Sequence, residues 1–476
     1  MALFEDISWM GLAVAVLLPW LAGVAVVRAV SGSQWNLYAG LGLGFFVGQI
    51  VVIVLLLAWD WLFSGLSFWP IAGALAGGSA VLLGATLLMG GSPRVSRMQA
   101  LSWPVRLLML ALMGLVLWRF GTMVQELALR PLFAWDAWMN WAPKAVVWFY
   151  HGELTPFVLP PAWLVAGPEQ EVYSLGNWRA SGYPPGVPLV MLWAMLGADT
   201  ADHTLVFLPW LFAPAAFALV LWGQLRSFGL GPALAMIVVY ASLSLPFLNI
   251  HTMLPGYADL WLALYFALGA MLAERWQRLG QPGDVVLALA MAAGCSLMKT
   301  PGIVFGGLIV LALILGRSGI PPRWLGRSVM VVAAGVIVML LGGLTATHVS
   351  MGGAPWALPL PGFLPELRIQ PEPLLPILFS SLFVASNWHL LGPVFLLTAA
   401  VALRVRGTVI LESVGVLSLV VAAALLVFVF GYTQYFEEAR NLVTLNRTLV
   451  YLVPLSVYVM GVWLAACQYA GQTGDA

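Results

Sequence analysis

Apolar residues fall along this chain in long blocks separated by short polar breaks. The blocks cover 9–29, 37–58, 68–90, 104–124, 204–225, 229–247, 256–274, 327–346, 376–402, 408–430 and 447–468. Their lengths suit a membrane crossing, which takes about 20 apolar residues with a range of about 17–25. The block 376–402 carries Asn387, His389 and Pro393, so a broken or tilted helix is expected there. Two other apolar stretches do not read as simple crossings. Residues 184–197 follow Tyr183 and end before Asp199, Asp202 and His203. At about 14 residues they reach only ~21 Å as a helix, which predicts an interfacial or re-entrant helix. Residues 285–315 hold Lys299-Thr-Pro301-Gly302 at their centre. One straight helix would place that lysine at mid-bilayer, at a cost of ~3 kcal/mol. A hairpin of two short helices with Lys299 at its tip avoids the cost; a snorkelling lysine on one kinked helix is the alternative.

Basic residues then assign sides. Arg28, the Arg94/Arg97/Arg106 cluster, Arg226, Arg275/Arg278, Arg317/Arg323/Arg327 and Arg404/Arg406 flank short loops, which places those loops in the cytoplasm. The start of the chain carries Glu5-Asp6 where a signal peptide would be basic, so the first apolar block reads as a retained span. The expected topology has about thirteen spans at roughly 20 residues for each ordinary one, with the N-terminus outside and the C-terminus inside. It divides into a four-span N-terminal module (1–124), an external loop with interfacial helices (125–203), and the remaining spans (204–476) with external loops near 248–259, 299–302, 347–375 and 431–447.

Composition agrees with this fold class, an all-α integral membrane protein. The chain is 62% hydrophobic and only 8% charged, against about 25% charged in ordinary soluble domains. A formal net charge of +1 with no basic patch argues against a nucleic-acid partner. Cys295 and Cys467 form neither a metal motif nor a disulfide framework.

The topology collects the uncommon polar residues on the external face. Asp136, Asn140 and Lys144 recur every fourth residue among Trp135, Trp138, Trp141 and Trp148, on one helical face beside aromatics suited to a bilayer boundary. His251, Tyr257, Asp259, Lys299, His348, Glu366, Arg368, Glu372, Arg440 and Arg447 fall in other external segments. A carboxylate such as Asp136 can take a proton from an attacking hydroxyl. Lys299, Arg440 and Arg447 can hold a phosphate, arginine in bidentate fashion. Base, cations and a greasy groove are the parts needed to handle a lipid-linked phosphosugar. Blander roles stand beside these: Asp136 pairing locally with Arg130 or Lys144, the tryptophans as an interfacial belt, the arginines on lipid headgroups, and His251 as a satisfied histidine.

Trp135-Asp136-Ala-Trp138-x-x-Trp141-x-x-Lys144-Ala, followed by Ser181-Gly-Tyr183-Pro-Pro-Gly-Val-Pro188, resembles bacterial members of the GT-C superfamily. These are polytopic glycosyltransferases that use polyprenyl-phosphate sugars, and the pattern is nearest the branch of the protein O-mannosyltransferases and the lipid A aminoarabinose transferase. Pro255-Gly-Tyr257-Ala-Asp259, Leu297-Met-Lys299-Thr-Pro301-Gly302 and Leu445-Asn-Arg447-Thr-Leu-Val-Tyr-Leu-Val-Pro454 resemble later motifs of that branch. The resemblance covers roughly 125–460. It implies that Asp136 is the catalytic acid/base, Asp259 a second acid, and Lys299 and Arg447 contacts to the lipid phosphate. Two features depart from the family pattern: about four spans precede Asp136, and Ala137 stands where a second adjacent acid is often found.

The expected function is transfer of a sugar, with inversion, from a polyprenyl-phosphate donor to a lipid, glycan or protein hydroxyl. The work is done at the periplasmic or outer face of a bacterial inner membrane. Asp136 and Asp259 are the expected catalytic pair, and Lys299, Arg440 and Arg447 the phosphate ligands. Trp138, Asn140, Lys144, Tyr183, Tyr257 and His251 are the expected substrate contacts. No cofactor or metal is called for, although a divalent metal is left open. Two other readings stand: an O-antigen ligase or polymerase using Arg440, Arg447 and His348 on a diphosphate-linked glycan, and a lipid-linked sugar transporter or flippase.

Overall fold

A computed structural model describes residues 7–32, 36–63, 65–88, 101–167, 169–346, 356–358 and 367–473. Glu5, Asp6, Arg94, Arg97, His348 and Glu366 lie outside the described residues. The first four long helices are α1 (Trp9–Ser31), α2 (Leu37–Leu62), α3 (Phe68–Leu88) and α4 (Trp103–Leu129). Three shorter ones follow, α5 (Ala142–His151), α6 (Pro160–Val165) and α7 (Gly186–Ala198). Then come α8 (Leu208–Ser227), α9 (Pro232–Leu243), α10 (Pro246–Met253), α11 (Ala258–Leu279), α12 (Pro282–Met298), α13 (Gly302–Gly316) and α14 (Pro322–Ala346). A two-stranded antiparallel ribbon, β1 (Trp356–Leu358) and β2 (Leu367–Ile369), precedes α15 (Leu374–Phe379) and α16 (Leu391–Arg406). The chain closes with α17 (Val414–Tyr432), α18 (Phe436–Arg440), α19 (Val443–Leu449) and α20 (Val453–Thr473).

Among the described residues, nine helical segments are long and apolar enough to cross a bilayer. The pair α9 and α10, bent by 59°, would make a tenth. The chain is therefore a multi-pass membrane protein of all-α class. The count is lower than thirteen for definite reasons. Helix α11 carries Asp259, Glu274, Arg275 and Arg278 along its 22 residues. Helices α12 and α13 have only 17 and 15 residues, or about 25 and 22 Å at 1.5 Å per residue. The block around 376–402 is broken by a π-turn at Ser380–Val384, a 3₁₀ turn at Ser386–Trp388 and a left-handed His389 (φ 49°), yet its second part, α16, is still among the nine.

Helix α11 is the axis of the bundle, buried on every side from Ala258 to Arg275. Most of that stretch is apolar, which suits a central helix, and its Asp259, Glu274 and Arg275 are ion-paired. Its Trp261 stacks on Phe45 of α2 at 5.9 Å and meets Trp210 of α8 edge-on at 5.5 Å. Tyr265 adds a 3.0 Å hydrogen bond to the Phe46 carbonyl, satisfying the hydroxyl that burial would otherwise strand. Helix α7 differs from an interfacial helix laid along a surface: all of its residues except Leu196 are buried, and Trp193 donates to the Ala15 carbonyl of α1 at 2.8 Å. The exposed short helix is instead α6, with Trp163, Leu164 and Val165 open.

The polar loops sort to the two ends of the bundle. At one end Leu154 N–H reaches Asp60 (2.9 Å), Thr204 reaches the Ala128 carbonyl (2.8 Å) and Gln370 N–H reaches the Tyr432 carbonyl (2.8 Å). At the other, Gly231 N–H reaches Gln468 (2.8 Å), and Gln277 bonds both the Glu412 carbonyl and Val414 N–H. That second end also carries two ion pairs, a buried Arg275–Asp284 at 3.4 Å and Arg278–Glu274 at 2.6 Å, in which the arginine is exposed.

Candidate active site

At the first end, four segments far apart in sequence bring charged side chains together. Asp136 lies where the chain turns from the 130–135 loop into helix. Pro143 has no N–H to donate, and just before it the helix opens into a π-turn, Ala137–Trp141, closed by Ala142 N–H on the Ala137 carbonyl. Such turns recur at functional sites.

Asp259 sits in the first turn of α11, where the helix dipole favours a negative charge. Gly256 (φ 92°) makes that start possible. A Cβ there would lie 2.4 Å from the Ala137 Cβ, so the glycine lets the head of α11 close on the π-turn. This contact also accounts for Ala137, which is fully buried against Gly256 and leaves no room for a second acid beside Asp136.

Lys299 caps α12 in extended conformation, and α13 begins at Gly302. The two helices fold back on each other so closely that a Cβ on Gly302 would lie 1.8 Å from the Cys295 carbonyl oxygen. The hairpin carries its lysine at the tip. Arg447 comes from α19, with Tyr451 one turn further on.

Asp259 is the hub. Its Oδ1 accepts from Lys299 Nζ at 2.6 Å and from the Tyr451 hydroxyl at 2.5 Å. Its Oδ2 accepts from Arg447 Nη2 at 2.7 Å and Nε at 3.2 Å. The carboxylate is fully buried, and burial of a charge is tolerated when it is paired and hydrogen-bonded in this way. Asp136 approaches from the open side and, among the described residues, accepts one hydrogen bond, from the same Arg447 Nη2. The side chains of Asp136, Arg447 and Lys299 are 16%, 19% and 20% exposed. Two cations and two carboxylates give the cluster no formal charge. Tyr257 lies under the Arg447 guanidinium, 4.8 Å from ring centroid to Cζ.

Beside Arg447 a pocket of about 250 Å³ opens between α10 and α19, walled by Phe247, His251, Leu254, Tyr257, Leu442 and Asn446. His251 is buried within it. Its Nδ1 lies 2.8 Å from the Phe247 carbonyl and its ring 5.1 Å from that of Tyr257.

The other sequence-derived candidates fall in different surroundings. Asn140 accepts from Asn177 at 2.9 Å, and Lys144 donates to the carbonyls of Ser181 (3.0 Å) and Tyr183 (3.2 Å). Both are buried and tie α5 to the 177–183 segment. Burial pushes the Lys144 ammonium down to about 8. Tyr183 packs on Trp141 with ring centroids 5.3 Å apart, and burial, followed by the Asp136 charge, raises its hydroxyl pKa. Trp138 is half exposed. Arg440 stands apart from the cluster, exposed and paired with Glu437 at 3.0 Å. Tyr451 is the member that inspection of the sequence passed over. The available signal was its spacing four residues after Arg447, which puts both on one helical face. Among the described residues no group of three His, Cys, Asp or Glu side chains is placed to hold a metal ion.

No family model matches the chain, and no curated protein and no solved structure is significantly similar to it.

Proposed function

We propose that this protein is a membrane glycosyltransferase of GT-C type. It moves a sugar from a polyprenyl-phosphate carrier to an acceptor hydroxyl at the external face of a bacterial cytoplasmic membrane, which about thirteen helices cross at roughly 20 residues for each ordinary one. The observation that carries this reading is the meeting of Asp136, Asp259, Lys299 and Arg447 at one end of an apolar helix bundle. It combines an accessible carboxylate with two partly open cations beside a pocket with aromatic walls.

In this reading Asp136 takes the proton of the acceptor hydroxyl. The hydroxyl oxygen attacks the anomeric carbon from the face opposite the phosphate. The bond from that carbon to the phosphate oxygen breaks with its electron pair on the oxygen, and the product is inverted. Lys299 and Arg447 stabilise the charge on the departing phosphate, with arginine supplying the forked geometry that phosphate favours. Asp259, with both oxygens engaged, positions these two cations. The Phe247–Tyr257 pocket receives the sugar or the first isoprene units, and Arg440 serves outside the reacting centre.

The test is incubation of purified protein with radiolabelled polyprenyl-phosphate sugars and envelope acceptors. Covalent transfer of label is expected. Transfer only from diphosphate-linked glycans would replace this reading with a ligase. Movement of the lipid across vesicles without a covalent product would replace it with a transporter.

A further inference from the structure

The two carboxylates on Arg447 are held very differently. Both use the same nitrogen, Nη2. Asp259 is fully buried and keeps Lys299 and Tyr451 as further donors. Asp136 is partly exposed, and Arg447 is its one hydrogen-bond donor in the cluster. Lys299 and Arg447 are open to a similar extent, and the cluster they form with the two acids is already neutral. An anion arriving at these cations meets no net attraction until a carboxylate leaves. Asp259 would abandon two guanidinium hydrogen bonds at a fully buried position, which is costly. Asp136 would abandon one, at a rim where water can solvate it.

We propose that a phosphate monoester or diester competes with Asp136 for Arg447, so that binding of the phosphorylated donor releases Asp136 from its guanidinium partner. This deepens the glycosyltransferase reading and rests on it for the identity of the donor. Its consequence is an order of events. While it is paired, Asp136 is held on the guanidinium and is not free to turn to an acceptor hydroxyl. Once the donor phosphate occupies Arg447, Asp136 is unpaired beside the anomeric carbon and free to take the acceptor's proton. The base is switched on by the substrate it serves, and an acceptor arriving alone finds it engaged.

The experiment measures binding of a short-chain polyprenyl monophosphate to the purified full-length protein in detergent, for the wild type, Asp136→Asn and Asp136→Ala. Inorganic phosphate, an anionic phospholipid and the uncharged polyprenol serve as parallel probes. Removal of the competing carboxylate should tighten polyprenyl phosphate by about tenfold or more, the scale of one charge-assisted hydrogen bond, and leave polyprenol unchanged. Inorganic phosphate tightening by the same factor would identify a free-phosphate site; phospholipid doing so would identify a headgroup site. The competition holds in both cases. Unchanged or weaker phosphate binding in both variants, with melting temperatures near wild type, would overturn it. If either variant fails to fold, the order of substrate addition in the wild type decides: donor before acceptor is expected, and acceptor-first or random addition overturns the proposal. Sugar transfer without tightening would sink this inference alone. Tightening without any transfer would sink the proposed function and leave the competition standing.

Discussion

Asp136 and Asp259 are both acids at the mouth of the bundle, yet their hydrogen bonding divides their work. Asp259 faces three donor side chains and is buried, whereas Asp136 faces one and is partly open. The sequence motifs pointed to both residues, since each stands beside aromatic residues at the head of a helix. The hub could not be read there, because it depends on Arg447 and Lys299 arriving from 188 and 40 residues away. Tyr451→Phe removes one donor from a buried carboxylate and should cost ~0.5–1.5 kcal/mol, seen as a lower unfolding temperature. An unchanged melting point would mean that the hydroxyl does not hold Asp259. Lys144 makes a prediction about pH. Its ammonium is depressed from 10.5 to about 8 by burial, so the unfolded chain binds the proton more tightly than the native protein. Stability from this group therefore rises as pH climbs from about 8 to 10.5 and is lowest below that window. Relative to Lys144→Met, the wild type should gain melting temperature across that interval. A relative loss would reverse the assignment.

At the scale of elements, length and charge carried much of the information. The hairpin of α12 and α13 follows from the cost of a mid-bilayer lysine, and its Lys-Thr-Pro-Gly tip is the turn between the two helices. Packing that depends on small residues was not legible. Ala137 reads in the sequence as a missing acid, but it is the contact that lets α11 approach the π-turn through Gly256. Helix α7 has the length of an interfacial segment and the burial of a core helix, because its neighbours, not its composition, decide which faces are covered. Ala137→Asp tests this contact. A second carboxylate at a fully buried position, pressed on Gly256, should separate α11 from the turn. The expected result is a stability loss of several kcal/mol, as for any unpaired buried charge, together with loss of donor binding. A stable, active Ala137→Asp protein would show that there is room for the paired acids seen in the GT-C pattern.

For the whole molecule, the division of loops between two ends is the feature on which any surface chemistry depends. Among the described residues, the arginine-flanked loops expected inside and the Trp- and Asp-rich segments expected outside lie at opposite ends of the bundle. Which end faces the exterior is a matter for labelling. In a Cys467→Ser background, cysteine at exposed Glu437 should react with an impermeant thiol reagent in intact cells, and cysteine at exposed Arg323 only after the membrane is opened. The reverse pattern would turn the protein over and move the cluster to the cytoplasm. The central claim is that this cluster transfers sugar with Asp136 as its base, and single-turnover transfer from a saturating polyprenyl-phosphate sugar tests it most directly. Asp136→Asn should fold, bind donor and lose ~10²–10⁴-fold in rate, whereas transfer by the variant at the wild-type rate would contradict the account.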